Sequence, residues 1–153
     1  MTGHIVQISV SPGGVPKVAV PEAKVLSTGL VGDAQKTPDI HGGPERAVCL
    51  WAMEVIETLQ QEGHNLAPGH AGENVTIAGL NWLQVTPGVK LQLGETVLLE
   101  VASYAVPCRK NMRWFADKRY SRISQKHHPG SSRIYTRVLQ TGFICQGDEV
   151  KLR

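Results

Sequence analysis

A cysteine among basic side chains has the clearest capacity for chemistry in this sequence. Cys108 follows a proline and begins the run Cys108-Arg109-Lys110-Asn111-Met112-Arg113-Trp114. The pattern predicts a short helix over residues 109–118, and the unpaired N–H groups at a helix start favour an anion. We expect Arg109 and Arg113 to raise the thiolate fraction of Cys108, which would let the sulfur attack electrophiles or bind a soft metal. The alternative is a buried, inert cysteine, the usual state of a free thiol.

The segment His41-Gly42-Gly43 has the composition of an anion-binding loop. Paired glycines can adopt positive φ and present backbone N–H groups to an anion. His41 can donate a hydrogen bond to that anion, and Arg46 can pair with a phosphate through two N–H groups. The alternative is an ordinary glycine turn beside a solvated histidine and arginine.

Asn74 and residues 133–137 are weaker candidates. Asn74 follows the glycine-rich residues 69–72, and its amide can recognise a heterocycle edge or tie together its own turn. Arg133, Tyr135 and Arg137 alternate along a predicted strand, so they are expected to share one face. A solvated face is the default interpretation of such a strand.

Short strands are the elements that must position these residues. The sequence has 16 glycines and 9 prolines, which is typical of a chain with many turns. Apolar patterning predicts strands at residues 4–10, 16–20, 23–26, 73–77, 134–139 and 149–152, with two more inside 89–104. A helix is predicted over 52–62, stopped by Gly63, and a long loop over 28–44.

About eight or nine strands with two short helices predict a mainly β fold, a closed or nearly closed β-barrel. Since helices do not alternate with strands, a doubly wound α/β sheet is not expected. The chain length predicts one domain over residues 1–153. A net charge of +3 suits a small anionic molecule better than a nucleic acid, which calls for a dense basic stripe.

The cysteine content favours the reducing cytoplasm. Cys49, Cys108 and Cys145 are widely spaced and odd in number, so neither a disulfide framework nor a four-cysteine zinc site is expected. Cys49 and Cys145 lie in apolar stretches and are predicted to belong to the core. No apolar run approaches the length of a membrane span.

Several enzyme classes lack their motifs in this chain. The patterns H-E-x-x-H, G-x-S-x-G, G-x-G-x-x-G and the Walker phosphate loop are absent. His127 and His128 are adjacent and would point to opposite sides of a strand, so they do not predict a chelating pair. The sequence therefore gives no support to a zinc protease, a serine hydrolase of that type or a nucleotide-binding enzyme.

In their order along the chain, several segments resemble the MOSC family, named for the C-terminal domain of molybdenum cofactor sulfurase. The matching segments are Gly29-Leu30-Val31-Gly32-Asp33, His41-Gly42-Gly43, Ala47-Val48, Gly72-Glu73-Asn74-Val75-Thr76, Gly79-Leu80, Val106-Pro107-Cys108, Arg137-Val138-Leu139 and Gly147-Asp148. The arrangement is most similar to small stand-alone bacterial members. One departure is Arg133-Ile134, where relatives often have a glycine just ahead of the tyrosine matched by Tyr135.

The resemblance implies a β-barrel with a pocket for the molybdenum cofactor (molybdopterin), a pterin with a phosphate and a dithiolene-bound metal. No pyridoxal phosphate is expected. The resemblance also implies that Cys108 is the catalytic residue and the thiolate ligand of molybdenum. The candidates to hold the cofactor or shape its pocket are His41, Gly42, Gly43, Arg46, Asn74, Arg109, Arg113 and Arg137. The implied activity is reduction of N-hydroxylated small molecules, with electrons from an external reductase, because three dispersed cysteines cannot hold an iron–sulfur cluster.

Two other functions stay open at this point. Cys108 could carry sulfur as a persulfide received from a cysteine desulfurase. The domain could also bind and deliver the cofactor without catalysis. Neither a nucleic acid nor a membrane is expected as a partner.

Overall fold

The computed structural model describes residues 2–34 and 43–153. These residues form the strands β1 (Thr2–Val10), β2 (Val18–Val20), β3 (Glu22–Leu26), β4 (Gly29–Leu30), β5 (Val48–Ala52), β6 (Val75–Ala78), β7 (Lys90–Leu93), β8 (Val97–Tyr104), β9 (Ile134–Gln140), β10 (Gly142–Cys145) and β11 (Glu149–Leu152). The helical segments are α1 (Met53–Gln61) and the short 3-10 helices Pro44–Arg46, Trp82–Gln84, Arg109–Trp114 and Tyr120–Ile123.

Seven strands close into a barrel in the order β11-β7-β8-β9-β5-β6-β1, and pairing of β1 with β11 completes the ring. β5 and β6 run parallel, whereas the other barrel neighbours are antiparallel. β2 pairs with the far end of β1, and β10, β3 and β4 form a separate three-stranded sheet. Closure leaves the barrel strands without open edges. The predicted mainly β barrel is confirmed.

Alternation of side chains along the strands fills the barrel interior. On β8, Val97, Leu99 and Val101 are buried, and the residues between them are only partly covered. Because successive side chains of a strand point to opposite faces, one face of β8 packs into the core while the other faces outward. The same alternation places Ile134 and Thr136 of β9 inside the barrel and Tyr135 outside it.

The helix predicted over 52–62 is confirmed as α1. Along the chain it connects β5 to β6, and two parallel strands need such a crossover connection. Ile56 and Leu59 are its buried residues, and Gly63 follows the helix with φ near +94°. In the part of the chain that the structure describes, no helix is long and apolar enough to span a membrane.

The structure differs from the sequence predictions at four places. Gly29–Leu30 is a short strand inside the segment predicted as a loop, and β10 was not predicted. The segment after Cys108 is a 3-10 helix that ends at Trp114, shorter than the predicted helix. Cys145 is exposed, because pairing of β10 with β3 turns Ile144 inward and Cys145 outward.

Truncation inside the barrel should cost far more stability than truncation on its outer face. Leu99 is fully buried on β8, whereas Leu139 on β9 is 45% exposed. Leu99→Ala should lower the free energy of unfolding by about 2–5 kcal/mol, because it removes buried methyl groups and leaves a cavity. Leu139→Ala should change it by about 0.5 kcal/mol or less. Urea denaturation of both variants tests this, and equal losses would contradict the assignment of the core.

Candidate functional site

A pocket on the outside of the barrel brings together most of the reactive side chains. It is open to solvent, and the empty space in it and at its mouth is about 610 Å³. We call it the Cys108 pocket, and its polar and reactive lining residues are Lys17, Arg46, Cys49, Asn74, Cys108, Lys110, Asn111, Arg133 and Tyr135. None of the described lining residues is acidic.

The floor of the Cys108 pocket comes from the paired strands β5 and β9. Cys49 and Tyr135 are direct partners in the antiparallel register, flanked by the pair Leu50 and Ile134. Leu50 and Ile134 are fully buried in the core, so Cys49 and Tyr135 lie on the opposite face of these strands. Strand pairing therefore fixes a thiol and a phenol side by side beneath the pocket.

A buried ion pair forms one wall of the pocket. Lys17 Nζ lies 2.6 Å from Asp33 Oδ1, and the two side chains are 7% and 3% exposed. The Asp33 carboxylate also accepts hydrogen bonds from the backbone N–H of Ser11 at 3.0 Å and from Asn74 Nδ2 at 2.9 Å. Burial of these charges is tolerated because the carboxylate has several donors. The carboxylate thus joins three separate segments of the chain.

Asn74 links the ion pair to the barrel. Its side-chain oxygen accepts a hydrogen bond from the backbone N–H of Cys49 at 3.0 Å, and its Nδ2 donates to Asp33 and, at 3.3 Å, to the carbonyl of Ser9. Its backbone N–H donates to the carbonyl of Cys49, and its carbonyl accepts from Ser9. Of the two roles predicted for Asn74, these bonds support holding the pocket together, since the amide is already engaged by the protein.

Cys108 sits at the N-terminal end of the 3-10 helix Arg109–Trp114, where it has extended backbone angles and is half-buried. Its carbonyl accepts a hydrogen bond from the N–H of Asn111 at 2.9 Å. Asn111 is buried, and its Nδ2 donates to the carbonyl of Ala71 at 3.3 Å. The helix begins where the sequence predicted, and Asn111 fastens it to the glycine-rich loop.

The predicted basic neighbours of Cys108 have different positions. Arg113 is exposed, donates to the carbonyl of Val15 at 2.7 Å and lies over the ring of Trp114. Arg109 is also exposed, and neither arginine is among the described residues that line the pocket. Lys110 does line it, so the cation nearest the cavity in this helix was not among the predicted site residues.

The two arginines predicted to bind phosphate are separated. Arg46 lines the pocket, and its guanidinium lies 5.4 Å from the ring centre of Tyr135. Arg137 instead donates to Glu45 and Glu100, away from the described pocket lining. Its hydrogen bond to Glu45 holds the pKa of that carboxyl below its ordinary value.

His41 and Gly42 lie outside the described residues. Gly43 is described, and it has a φ of 97°, a conformation that favours glycine. Its carbonyl accepts the N–H of Arg46 at 3.0 Å, which begins the 3-10 helix that carries Arg46. Gly43 therefore sets the direction of the chain just before a pocket residue.

Two buried ionisable residues lie at or beneath the pocket: Arg133, a weak candidate in the sequence, and Glu73, which was not a candidate. Arg133 is 5% exposed and lines the pocket, although a solvated strand face was the default expectation. Glu73 is fully buried, and its Oε2 accepts hydrogen bonds from the N–H of Gly69 and the hydroxyl of Thr76, both at 3.0 Å. Desolvation raises the pKa of Glu73 above its ordinary value, and the charge of Arg133 opposes this rise.

Cys49 and Tyr135 are neutral groups at physiological pH. Burial raises the pKa of the Cys49 thiol to about 11, with Arg133 opposing the rise. Burial likewise raises the pKa of Tyr135 to about 12. The charged described residues of the lining are therefore all cations: Lys17, Arg46, Lys110 and Arg133. Of these, Lys17 is neutralised by Asp33.

Lys17, Asp33 and Cys49 are further site residues that sequence reasoning did not identify. Asp33 ends the segment Gly29-Leu30-Val31-Gly32-Asp33, and a carboxylate directly after a glycine in a glycine-bearing segment was a usable signal. Lys17 and Cys49 gave no signal, because strand pairing and loop packing alone bring them to the site. Among residues 2–34 and 43–153, no group of three or more histidine, cysteine or acidic side chains could hold a metal ion.

The fold and the site define a β-barrel domain with a half-buried cysteine in a cationic pocket. The chain belongs to the MOSC domain family, whose model matches residues 37–151. This agrees with the resemblance found in the sequence.

Named relatives support the same family. The chain is 31% identical over 122 residues to the uncharacterized protein YflK of Bacillus subtilis, covering 79% of this chain and 54% of that protein. It is 32% identical over 131 residues to a protein named "Reductase" from Gibberella moniliformis, covering 82% of this chain and 23% of that protein. It is 34% identical over 108 residues to YiiM of Escherichia coli, covering 65% of this chain and 46% of that protein. The chain therefore spans about half, or less, of these curated relatives.

Solved structures share the architecture. The crystal structure of YiiM from Geobacillus stearothermophilus has a TM-score of 0.73 and 26% identity, covering 99% of this chain and 75% of that one. The YUAD protein of Bacillus subtilis has a TM-score of 0.77 at 16% identity, covering 99% of this chain and 96% of that one, which shows the shared fold.

Removing the buried carboxylate of the Lys17–Asp33 pair should destabilise the protein strongly. Asp33→Ala leaves the Lys17 ammonium buried without a counter-charge, which should cost about 3–5 kcal/mol of unfolding free energy. The matched control is Asp117→Ala, which breaks an exposed pair with Arg122 and should cost much less. Chemical denaturation compares the two variants, and a similar loss in both would show that Asp33 does not organise the wall.

Cys49 should react slowly with alkylating agents in the folded protein. A rise in pKa to about 11 lowers its thiolate fraction at pH 8 by roughly a hundredfold, and burial adds a steric barrier. Its labelling rate should increase as the pH rises toward 11. Peptide mass spectrometry after iodoacetamide treatment measures this, with the exposed Cys145 as internal reference. Equal Cys49 labelling in folded and urea-unfolded protein would refute the assigned environment.

Proposed function

We propose that the Cys108 pocket binds the molybdenum cofactor and that Cys108 supplies the protein's sulfur ligand to the metal. The observation that carries the proposal is the lining itself, in which a half-buried cysteine shares one pocket with the cations Arg46, Lys110 and Arg133 and with no described acidic residue. Thiolate sulfur is a suitable ligand for a soft metal, and cations are suitable partners for a phosphate.

The described residues fit such a ligand in charge, because the lining is cationic and has no described acidic residue. Arg46 and Lys110 are the candidates for the phosphate or the pterin edge, since neither has an ion-pair partner among the described residues. The cofactor would bring its own dithiolene sulfurs, so the protein needs to add one thiolate at the metal.

We propose further that the protein is a reductase of N-hydroxylated small molecules. When bound, the cofactor supplies two-electron redox chemistry, and an external reductase would provide the electrons. The chain's own part is to orient the metal through Cys108, to hold the phosphate and to exclude water through its packed floor. The relative named "Reductase" supports a redox activity for this family, although the chain covers less than a quarter of that protein.

Tyr135 can also donate a hydrogen bond to a ligand in the pocket. Its phenol is protonated at neutral pH, and burial raises its pKa further, to about 12. A protonated phenol beside the cation of Arg46 can donate a hydrogen bond to a ligand oxygen.

The three free cysteines are compatible with the cytoplasm, where we propose that the protein works.

A second candidate function is sulfur transfer through Cys108. The observation that favours it is that two thiols, Cys49 and Cys108, line one pocket. In this alternative a cysteine desulfurase would load Cys108 as a persulfide, and the outer sulfur would pass to an acceptor. A carrier that only delivers the cofactor would show neither reduction nor sulfur transfer.

Substitution of Cys108 should abolish the proposed reductase activity. Protein made in a host that synthesises the molybdenum cofactor should reduce benzamidoxime with reduced viologen as electron donor. Cys108→Ser should lower this rate to background, because serine is a poor ligand for a soft metal. The variant should unfold at the same urea concentration as the wild type. Cys145→Ser is the matched control and should retain the wild-type rate, since that cysteine is exposed in a separate sheet.

Two results would contradict the reductase proposal. Full activity in Cys108→Ser would remove the cysteine from the mechanism. Absence of activity in the wild type, with a mass gain of one sulfur on Cys108 after incubation with a cysteine desulfurase and cysteine, would support the transfer function instead.

A further inference from the structure

Arg133 is a buried cation without a buried anion to neutralise it directly. Its side chain is 5% exposed and lines the Cys108 pocket. Nη1 donates to the carbonyl of Ala71 at 2.8 Å, and Nη2 donates to the carbonyl of Val106 at 3.4 Å. It forms no ion pair with a carboxylate in residues 2–34 and 43–153. Such a charge is costly to bury unless something pairs with it.

The Nε–H of Arg133 is the unsatisfied group. It is fully buried and has no hydrogen-bond partner among the described residues. Buried N–H groups are nearly always paired in folded proteins. Because Arg133 lines the pocket, a ligand bound there is the candidate acceptor for this N–H. The two carbonyl bonds hold the guanidinium in place, which orients the Nε–H before any ligand arrives.

The charge of Arg133 lowers the pKa of Glu73, against the rise that desolvation causes. The two described side chains do not form a salt bridge. The Oε2 of Glu73 is used by Gly69 and Thr76, and its Oε1 has no partner among the described residues. Glu73 is fully buried and does not belong to the described pocket lining.

We propose that Arg133 binds an oxyanion, a phosphate or carboxylate group of the molecule held in the Cys108 pocket, through its Nε–H and its charge. The inference deepens the proposed function and rests on it for the identity of that molecule. Val106, which Arg133 contacts, lies two residues before Cys108, so the oxyanion would sit on the same side of the pocket as the sulfur. Arginine is suited to this task because its guanidinium presents N–H groups in a fixed plane.

The test is a titration of the cofactor-free protein with inorganic phosphate, followed by NMR of the arginine Nε–H signals. One Nε–H signal should shift with phosphate, and it should be missing from the spectrum of Arg133→Lys. Arg133→Gln should weaken phosphate binding by about tenfold or more, because a charged hydrogen bond is lost. Arg153→Gln is the matched control: it removes the same charge at an exposed position and should leave the affinity unchanged.

Two results would overturn the inference. One is a wild-type protein in which phosphate moves no Nε–H signal. The other is Arg133→Gln with wild-type phosphate affinity and lower thermal stability, which would assign Arg133 a purely structural role beside Glu73. If Arg133→Gln does not fold, Arg133→Lys carries the comparison, since it keeps the charge and lacks the Nε–H.

The same NMR titration of molybdenum-loaded protein identifies the source of the oxyanion. In molybdenum-loaded protein, a signal that is already shifted and insensitive to added phosphate assigns Arg133 to the cofactor's own phosphate. A signal that still responds assigns it to an oxyanion on the substrate. The cofactor-free arm needs no molybdenum, so failure of the proposed function leaves this binding measurement valid.

Discussion

The buried Lys17–Asp33 ion pair is the interaction on which the arrangement of the pocket depends. The Asp33 carboxylate accepts from Lys17, from the N–H of Ser11 and from Asn74, and Asn74 in turn holds the backbone of Cys49. A carboxylate with this many donors can remain charged in a site where an unpaired charge would be costly. The wall and the floor of the pocket are therefore one connected polar network, built across the β5–β6 parallel pair.

The Cys108 pocket lies outside the barrel, and the barrel strands determine the position of its floor. Interior residues such as Leu50 and Ile134 pack the core, and the strict alternation of β5 and β9 then forces Cys49 and Tyr135 onto the pocket side. The glycine-rich loop and the 3-10 helix after Cys108 add the remaining wall, joined by Asn111. Because the thiol of Cys49 and the phenol of Tyr135 stay neutral, the lining offers a ligand positive charge together with the sulfur of Cys108.

Much of this architecture could be predicted from the sequence. Periodicity located the helix α1 and the long strands, and the start of a short helix after Cys108 was predicted from the pattern of residues 109–118. The short strands β4 and β10 were missed because two to four residues carry too little periodicity. Arg133 was expected on a solvated face. Its burial could not be predicted, because it comes from contacts with carbonyls distant in the sequence, at Ala71 and Val106. Arg137, four residues later on the same predicted face, is held by Glu45 and Glu100 instead.

The most direct test of the central claim is X-ray absorption at the molybdenum edge, on protein from a host that makes the cofactor. The account predicts that wild-type protein holds molybdenum with one more sulfur ligand than the metal in Cys108→Ala, or that this variant holds no molybdenum at all. Wild-type protein that folds correctly and contains no molybdenum, or an unchanged sulfur count in Cys108→Ala, would contradict it.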